Sequence, residues 1–362
     1  MKKLVFLHSP IQIAILDGLI KSGQVSSDET FIFHRNQKPP VSFRAPHVFS
    51  SNYALNDVPF ITALFSCPKE PIEVILPHSL CYAFHLAEAL DHVQRISYIE
   101  EGTGTIYAIR NNDFRLRLRM HARSFLDRIK LVIKLTISLQ ALDPRLIKTA
   151  LAADNKFRSN VYDRFIDYQS PKMGHVYSIS PWHSEDDIYK PVPMLGVGIT
   201  GNENGILIAI GKSDIVINGY WELIDKIARS IEALGLSYRV KLHPSIKKNS
   251  FKGKNRLRDR FLSNVEVYDP GSDELGFAII KDGFLGAVSF FSSYQVYAHT
   301  LSQALGKEFP MLCLERILGK DDYAVEVALL PECNLMDNVF FDVDAWLEKI
   351  AKHAAIRYQS HP

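Results

Sequence analysis

Short apolar runs that end in a polar turn and lead into a helical pattern recur along this chain, and this alternation constrains its fold most. Leu4–Leu7 precedes Ser9 and Pro10, which predict the N-cap and first position of a helix through about Lys21. The run Ile206–Ile210 starts the pattern again in the second half. Strands that alternate with helices form parallel sheets with helices on both faces. The sequence therefore predicts an α/β fold.

Two such halves are expected, joined by a segment rich in Pro and Gly between about residues 180 and 203. We predict a Rossmann-like domain over 1–190, a second over 200–340, and a helix over 341–362, for which packing back on the N-terminal domain is one option. Further strands are predicted at Glu73–Leu76, Arg95–Ile99, Tyr238–Leu242, Leu285–Phe290 and Phe309–Leu314. A helix after Gly211 has an apolar stripe made of Leu223, Ile227, Ile231 and Leu234.

Composition limits the class of protein. The chain has 362 residues, 47% of them hydrophobic and 23% charged, and its net charge of +2 argues against a general nucleic-acid binder. The apolar run at the start is too short for a signal peptide, and no stretch reaches the ~18 apolar residues of a spanning helix. The four cysteines have no metal-type spacing. We expect a cytoplasmic protein with reduced thiols.

Basic residues are concentrated in two runs, Arg115–Lys134 and Arg239–Arg260. A solvated helix face explains either run. Apolar residues interrupt the first run, so a peripheral contact with anionic lipid at the inner face of the cytoplasmic membrane stays open for it.

Three short motifs each follow a predicted strand. The first is Glu100-Glu101-Gly102. Two adjacent carboxylates repel each other, so one can hold a proton more tightly and act as a general base. A solvated acidic turn is the alternative interpretation.

The second motif, His243-Pro244, follows the strand Tyr238–Leu242. An imidazolium can protonate a departing phosphate or stabilise its charge, and Pro244 fixes the backbone of the turn. The dipeptide alone is weak, because roughly 0.6 copies are expected by chance. A second copy ends the chain at His361-Pro362. The position after a strand is what favours His243.

The third motif, Ser292-Ser293, follows the strand Leu285–Phe290. Hydroxyls and free N–H groups at the start of a helix form a site for a phosphate. Ser292 with Gln295 also matches a capping box, which needs no ligand. The two interpretations are compatible, since both use the same N–H groups.

The order of these motifs resembles the bacterial CMP-sialic acid-dependent sialyltransferases of the lipooligosaccharide and polysialic-acid types. The opening Ser9-Pro10-Ile11-Gln12 looks like the (Ser/Thr)-Pro-x-Gln segment with which many of these enzymes begin, and Leu76-Pro77-His78-Ser79 is similar to a segment of their first domain. The resemblance runs from residue 6 to about residue 305. It implies GT-B glycosyltransferase architecture, with two Rossmann-like domains facing a central cleft.

The resemblance implies a role for each matching residue. Glu101, or else Glu100, would deprotonate the acceptor hydroxyl, and His243 would assist the departing CMP phosphate. Ser292 and Ser293 would hold that phosphate. The remaining expected contacts are Gly211, Pro244 and Glu274 toward CMP, and Ser9, Gln12, His78 and Gly102 on the acceptor and donor side.

The implied reaction is an inverting transfer of sialic acid from CMP-sialic acid to a hydroxyl of a glycan, with no metal and no cofactor. The acceptor would be a bacterial surface glycan (lipopolysaccharide, O-antigen or a capsule precursor), with a lipid-linked precursor as one option. Donors with another CMP-activated nonulosonic acid, and polysialic acid as product, stay open. Three other interpretations also stay open, because a fold does not fix a function. They are another GT-B enzyme, a nucleotide-sugar epimerase and a non-catalytic sugar-nucleotide-binding protein.

Overall fold

A computed structural model describes the chain in two compact units, Met1–Leu195 and Gly196–Pro362. The described residues are 1–7, 9–35, 47–51, 64, 70–77, 87–100, 148, 171–179, 189–193, 198–201, 203–211, 217–243, 256–271, 273–319 and 336–360. The basic run Arg115–Lys134 lies outside these residues.

The N-terminal unit contains a parallel sheet of seven strands in the order β3-β2-β1-β4-β5-β6-β7. The chain therefore builds the sheet in one direction from β1 to β3, returns to the other side of β1, and continues to β7. The strands are β1 Lys2–Leu7, β2 Thr30–Arg35, β3 His47–Ser51, β4 Ile72–Leu76, β5 Val93–Ile99, β6 Met173–Ser178 and β7 Tyr189–Pro191.

Helix α1, Pro10–Lys21, links β1 to β2 and begins where the sequence predicts. Pro10 occupies the first helical position, where its missing N–H has no intrahelical partner to lose. Gly23 adopts a φ of 73° beyond the helix end, a conformation in which glycine carries no steric cost.

The C-terminal unit contains a second parallel sheet, in the order β10-β9-β8-β11-β12-β13. This is the doubly wound order of a Rossmann sheet, and the first six strands of the N-terminal sheet have the same order. The strands are β8 Ile206–Ile210, β9 Tyr238–Leu242, β10 Glu266–Val267, β11 Gly286–Ser289, β12 Met311–Cys313 and β13 Val339–Phe340. The expected two parallel-sheet α/β domains, which GT-B architecture requires, are confirmed.

Five helices of this unit are described: α2 Tyr220–Ala233, α3 Arg256–Asn264, α4 Leu275–Asp282, α5 Ser293–Ala304 and α6 Val343–Ser360. The core that they share with the sheet includes Ile206, Ile208, Trp221, Ile227, Val288, Trp346 and Ile350. The predicted stripe of α2 is wrong at Leu234, which is 41% exposed, because the helix ends at Ala233. The fully buried Ile224 lies on the buried face instead.

Helix α6 packs within the C-terminal unit. Trp346 is fully buried, and its indole Nε1–H donates to the carbonyl of Pro310 at 3.3 Å. The predicted contact of this helix with the N-terminal domain stays a prediction. In the described part of the chain, no helix is both long and apolar enough to cross a membrane.

A polar network lies within the N-terminal sheet and joins β1, β4, β5 and β6. The Glu73 carboxylate is fully buried; it accepts a hydrogen bond from the Ser97 hydroxyl at 2.5 Å and pairs with the Lys3 ammonium at 2.5 Å. Ser97 Oγ in turn accepts the His175 N–H at 3.0 Å. Burial, followed by the charge of Glu73, raises the pKa of the Tyr177 phenol. One buried carboxylate therefore links the strands through side chains as well as through the backbone.

The substitution Glu73→Gln tests this network. It would leave the Lys3 ammonium, 15% exposed, without its anionic partner. Breaking a buried ion pair by removing one partner is strongly destabilising, so we expect the free energy of unfolding to fall by about 3 kcal/mol in equilibrium urea unfolding.

The matched control is Glu70→Gln. Glu70 pairs with Lys2 at 2.6 Å, but the two side chains are 58% and 42% exposed. Exposed pairs of this kind contribute less than about 1 kcal/mol. Equal losses for the two variants would contradict the importance of the buried network.

Candidate functional site

The ends of neighbouring strands bring three of the sequence-predicted residues to one edge of the C-terminal sheet. Gly211 follows β8, His243 follows β9, and Ser292 lies three residues after β11. Strands β9, β8 and β11 are adjacent, and the direction of strand addition reverses between β8 and β11. Open parallel sheets bind ligands outside the carboxyl ends of their strands at such a switch point.

His243 is fixed by its backbone. Its N–H donates to the carbonyl of Ile210, the last residue of β8, at 2.9 Å. This hydrogen bond extends the β8–β9 ladder by one residue and leaves the His243 side chain on the exposed side of the edge. His243 therefore lies beside the carboxyl end of β8.

The predicted capping box at the start of α5 is confirmed. Ser292 is the N-cap, and its N–H donates to Oε1 of Gln295 at 2.8 Å. Immediately before the turn, the Ser289 hydroxyl contacts both the carbonyl of Phe290 and the Tyr294 hydroxyl at 2.6 Å. Side chains of the turn itself thus fix the backbone that carries Ser292 and Ser293.

Strand β12 supports the same turn from its other side. Nε2 of Gln295 donates to the Sγ of Cys313 at 3.4 Å, and the N–H of Phe291 donates to the Glu315 carboxylate. Burial, followed by the charge of Glu315, raises the pKa of the Cys313 thiol well above its usual value. Glu315 is not among the site residues predicted from the sequence, because its position after the apolar run Phe309–Leu314 does not by itself point to this contact.

Glu274 caps a second helix that starts at this edge. It is the N-cap of α4, and its Oε2 accepts the N–H of Phe277 at 3.2 Å. Helix α4 leads into β11 and α5 leads out of it, so the two helices run parallel and begin at the same edge.

The two helix starts are in close contact at Gly276. A Cβ added to Gly276 would lie 2.3 Å from the Tyr294 carbonyl oxygen and 2.8 Å from the Ala298 nitrogen. Only a glycine permits this approach, because both atoms belong to the backbone of α5, which cannot rotate away as a side chain could. The close contact holds the Glu274 cap beside the first turn of α5.

The N-terminal sheet has an equivalent edge. Ser9 follows β1 and is the N-cap of α1, where its N–H donates to Oε1 of Gln12 at 3.2 Å. Gln12 is fully buried. The S-x-x-Q capping pattern predicted at Ser292 is also present at Ser9, where it has the same structural result.

Glu100 follows β5 at this edge and is buried, with 1% of its surface exposed. Its Oε2 accepts the Ser178 hydroxyl at 2.6 Å and the N–H of Ile179 at 3.2 Å. The first member of the acidic pair is thus held by the end of the neighbouring strand β6. The alternative interpretation of this motif as a solvated acidic turn is therefore wrong for Glu100.

The remaining predicted site residues, Glu101, Gly102, His78 and Pro244, lie outside the described residues. Within the described ranges, no group of three or more His, Cys, Asp or Glu side chains is arranged to hold a metal ion. The predicted metal independence stays a prediction.

Solved structures align with nearly the whole chain at low similarity. The glycotransferase of kitacinnamycin covers 100% of this chain and 99% of its own at 10% identity, with a TM-score of 0.38. The lipopolysaccharide outer core galactosyltransferase WaaB in its apo form covers 99% of this chain and 100% of its own at 13% identity and a TM-score of 0.36. A UDP-N-acetylglucosamine 2-epimerase covers 100% of this chain and 97% of its own at 13% identity, also with a TM-score of 0.36. Likeness at this level does not distinguish one donor or reaction from another.

No protein-family model matches the chain, and no curated protein matches it.

The contact between α4 and α5 predicts the effect of Gly276→Ala. A methyl group forced against fixed backbone costs about 1–3 kcal/mol, so we expect a lower midpoint of thermal unfolding for the C-terminal unit. Gly198→Ala is the matched control, because nothing lies within 4 Å of the added methyl group there. An unchanged midpoint for Gly276→Ala would show that α4 moves away without cost.

Proposed function

We propose that this chain is an inverting sialyltransferase that moves sialic acid from CMP-sialic acid to a hydroxyl of a bacterial surface glycan. The observation that carries the proposal is the shared strand edge of the C-terminal sheet, where His243 and the Ser292–Ser293 turn follow β9 and β11 on either side of β8. These are two of the three motifs on which the resemblance to bacterial sialyltransferases depends. GT-B architecture, with the two domains facing a cleft, is part of the proposal.

The residues of the C-terminal edge suit a phosphate leaving group. The first N–H groups of α5 and the hydroxyls of Ser292 and Ser293 offer hydrogen bonds to phosphate oxygens, and the helix dipole favours an anion there. The exposed imidazole of His243 can donate a proton or a positive charge to the same group. Glu274 belongs to a helix start held against α5 through Gly276, and we assign it to the ribose hydroxyls.

The acceptor hydroxyl needs a general base. Its oxygen forms a bond to the anomeric carbon while the bond from that carbon to the phosphate oxygen breaks, and its proton passes to a carboxylate. Hydrogen bonds from Ser178 and Ile179 already engage Oε2 of Glu100. We therefore assign the base to Glu101 and a structural role to Glu100.

Ser9, Gln12, His78 and Gly102 are assigned to the acceptor and donor side, and Pro244 to the turn that orients His243. Other CMP-activated nonulosonic acids, and polysialic acid as product, fit the same assignment. The acceptor would be assembled at the inner face of the cytoplasmic membrane. The proposal requires no metal and no cofactor.

A nucleotide-sugar epimerase is the second candidate from a different reaction, since a structure of such an enzyme is among those that align. It differs in one measurable respect, because an epimerase turns over its nucleotide sugar without an acceptor.

The reaction class is tested by measuring CMP release from CMP-sialic acid in EDTA, with and without a galactose-terminated acceptor. We expect release that the acceptor stimulates, because a transferase needs a nucleophile and this one needs no divalent cation. No CMP release, together with no binding of CMP by calorimetry, would sink the proposal.

The mechanism is tested by His243→Ala and Glu101→Ala. We expect each variant to lose two or more orders of magnitude in kcat and to keep the thermal midpoint of the wild type, since proton transfer by a positioned group typically contributes 10²–10⁴-fold. Glu100→Ala should instead lower the thermal midpoint, because Ser178 and Ile179 lose a buried acceptor. An inactive Glu100→Ala alongside an active Glu101→Ala would reverse the assignment of the base.

A further inference from the structure

A buried carboxylate lies behind the turn proposed to hold the donor phosphate, and the reaction proposed above makes no use of it. Glu315 is 1% exposed and follows β12 by two residues. Cys313 at the end of β12 pairs with Ser289, and the N–H of Leu314 donates to the carbonyl of Ser289 at 3.1 Å. The pairing of β11 with β12 therefore places Glu315 where β11 ends and the Ser292–Ser293 turn begins.

Its contact there is with the turn itself. The N–H of Phe291, the residue before the N-cap of α5, donates to Oε1 of Glu315. The next N–H along the chain, that of Ser292, donates to Gln295. The helix dipole stabilises a carboxylate beside the start of a helix, and an ionised Glu315 places a negative charge beside the turn.

We propose that Glu315 makes the Ser292–Ser293 turn select a singly charged phosphodiester over a doubly charged phosphomonoester. This inference rests on the proposed function, because it assumes that a nucleotide phosphate binds this turn. Glu315 acts through the turn and through its charge, as a positioning and specificity-determining residue rather than a catalytic one.

The reaction itself changes the charge that this turn holds. The donor phosphate is a diester with one negative charge. When the bond from the anomeric carbon to the phosphate oxygen breaks, the electron pair stays on that oxygen and the acceptor proton goes to the general base. CMP is left as a monoester that carries up to two negative charges at neutral pH. Glu315 would therefore repel the product CMP more strongly than the donor, and this difference favours product release.

The size of the effect follows from the distances involved. A unit charge within about 10 Å of another near a protein surface changes affinity by roughly tenfold at an effective dielectric constant near 20. Phe291, whose N–H binds Glu315, lies two residues before Ser293, so their Cα atoms are at most about 7.6 Å apart.

The test is calorimetric titration with CMP and with the 5′-methyl phosphodiester of CMP, which has the same nucleoside and one charge fewer. At pH 8 we expect the wild type to bind the diester roughly tenfold more tightly than CMP. Glu315→Gln keeps a side-chain oxygen for the Phe291 N–H, and it should bring the two affinities to within about twofold by strengthening CMP binding. The control Glu348→Gln removes the same charge from an exposed residue of α6 and should keep the wild-type preference.

A second measurement compares the pH dependence of the wild type with that of Glu315→Gln. The monoester loses its second charge as the pH falls through about 6, whereas the charge of the diester does not change. Affinity for CMP relative to the diester should therefore rise between pH 8 and pH 5 in the wild type and rise less in Glu315→Gln. All other charged groups are common to the two proteins, so a purely structural role for Glu315 would give both the same dependence.

The outcomes separate the two proposals. If the wild type binds both nucleotides and Glu315→Gln leaves their ratio unchanged, or the wild type shows no preference at pH 8, the role of Glu315 is overturned and the sialyltransferase proposal stands. If the wild type binds neither nucleotide, both are overturned.

Discussion

The pairing of β8 with β11 is the contact on which the rest of the C-terminal unit depends. Strands β9 and β10 lie on one side of β8, and strands β11 to β13 lie on the other. On its other side, Gly286 of β11 permits the close approach of Pro310 and of helix α6, because a Cβ there would lie 2.6 Å from both the Pro310 carbonyl oxygen and the Ile350 side chain. The reversal leaves the carboxyl ends of β8 and β11 side by side.

This strand order also makes the carboxyl-end edge of the C-terminal sheet both polar and rigid. Every strand end at this edge exposes N–H groups that must find acceptors, because a buried amide without one costs free energy. Gln295 and Glu315 supply acceptors to two successive N–H groups of the β11–α5 turn. Glu274 does so for α4. Groups that satisfy the backbone and groups that would bind a ligand are therefore interleaved within a few residues.

Sequence patterns predicted the parts of this arrangement that depend on neighbours along the chain. The capping box at Ser292, the start of α1 at Pro10 and the strand Ile206–Ile210 all follow from local spacing, and each has its predicted place. Glu315 could not be recognised in the same way, since a glutamate after a strand is ordinary until the β11–β12 register brings it to Phe291. The short strands β10 and β13 have two residues each and leave no periodic signal.

In each of the two sheets, a buried glutamate accepts a backbone N–H from the residues that follow the neighbouring strand. Glu100 follows β5 and accepts the N–H of Ile179, just past the end of β6; Glu315 follows β12 and accepts the N–H of Phe291, just past the end of β11. In each sheet a buried carboxylate holds the turn beside it and is thereby occupied. A carboxylate committed to backbone amides is a poor acceptor for a substrate proton, because taking up that proton would weaken the hydrogen bonds that hold it. The proposed proton transfer is therefore assigned to a carboxylate that these backbone amides do not engage, and Glu101 follows Glu100 directly in the sequence.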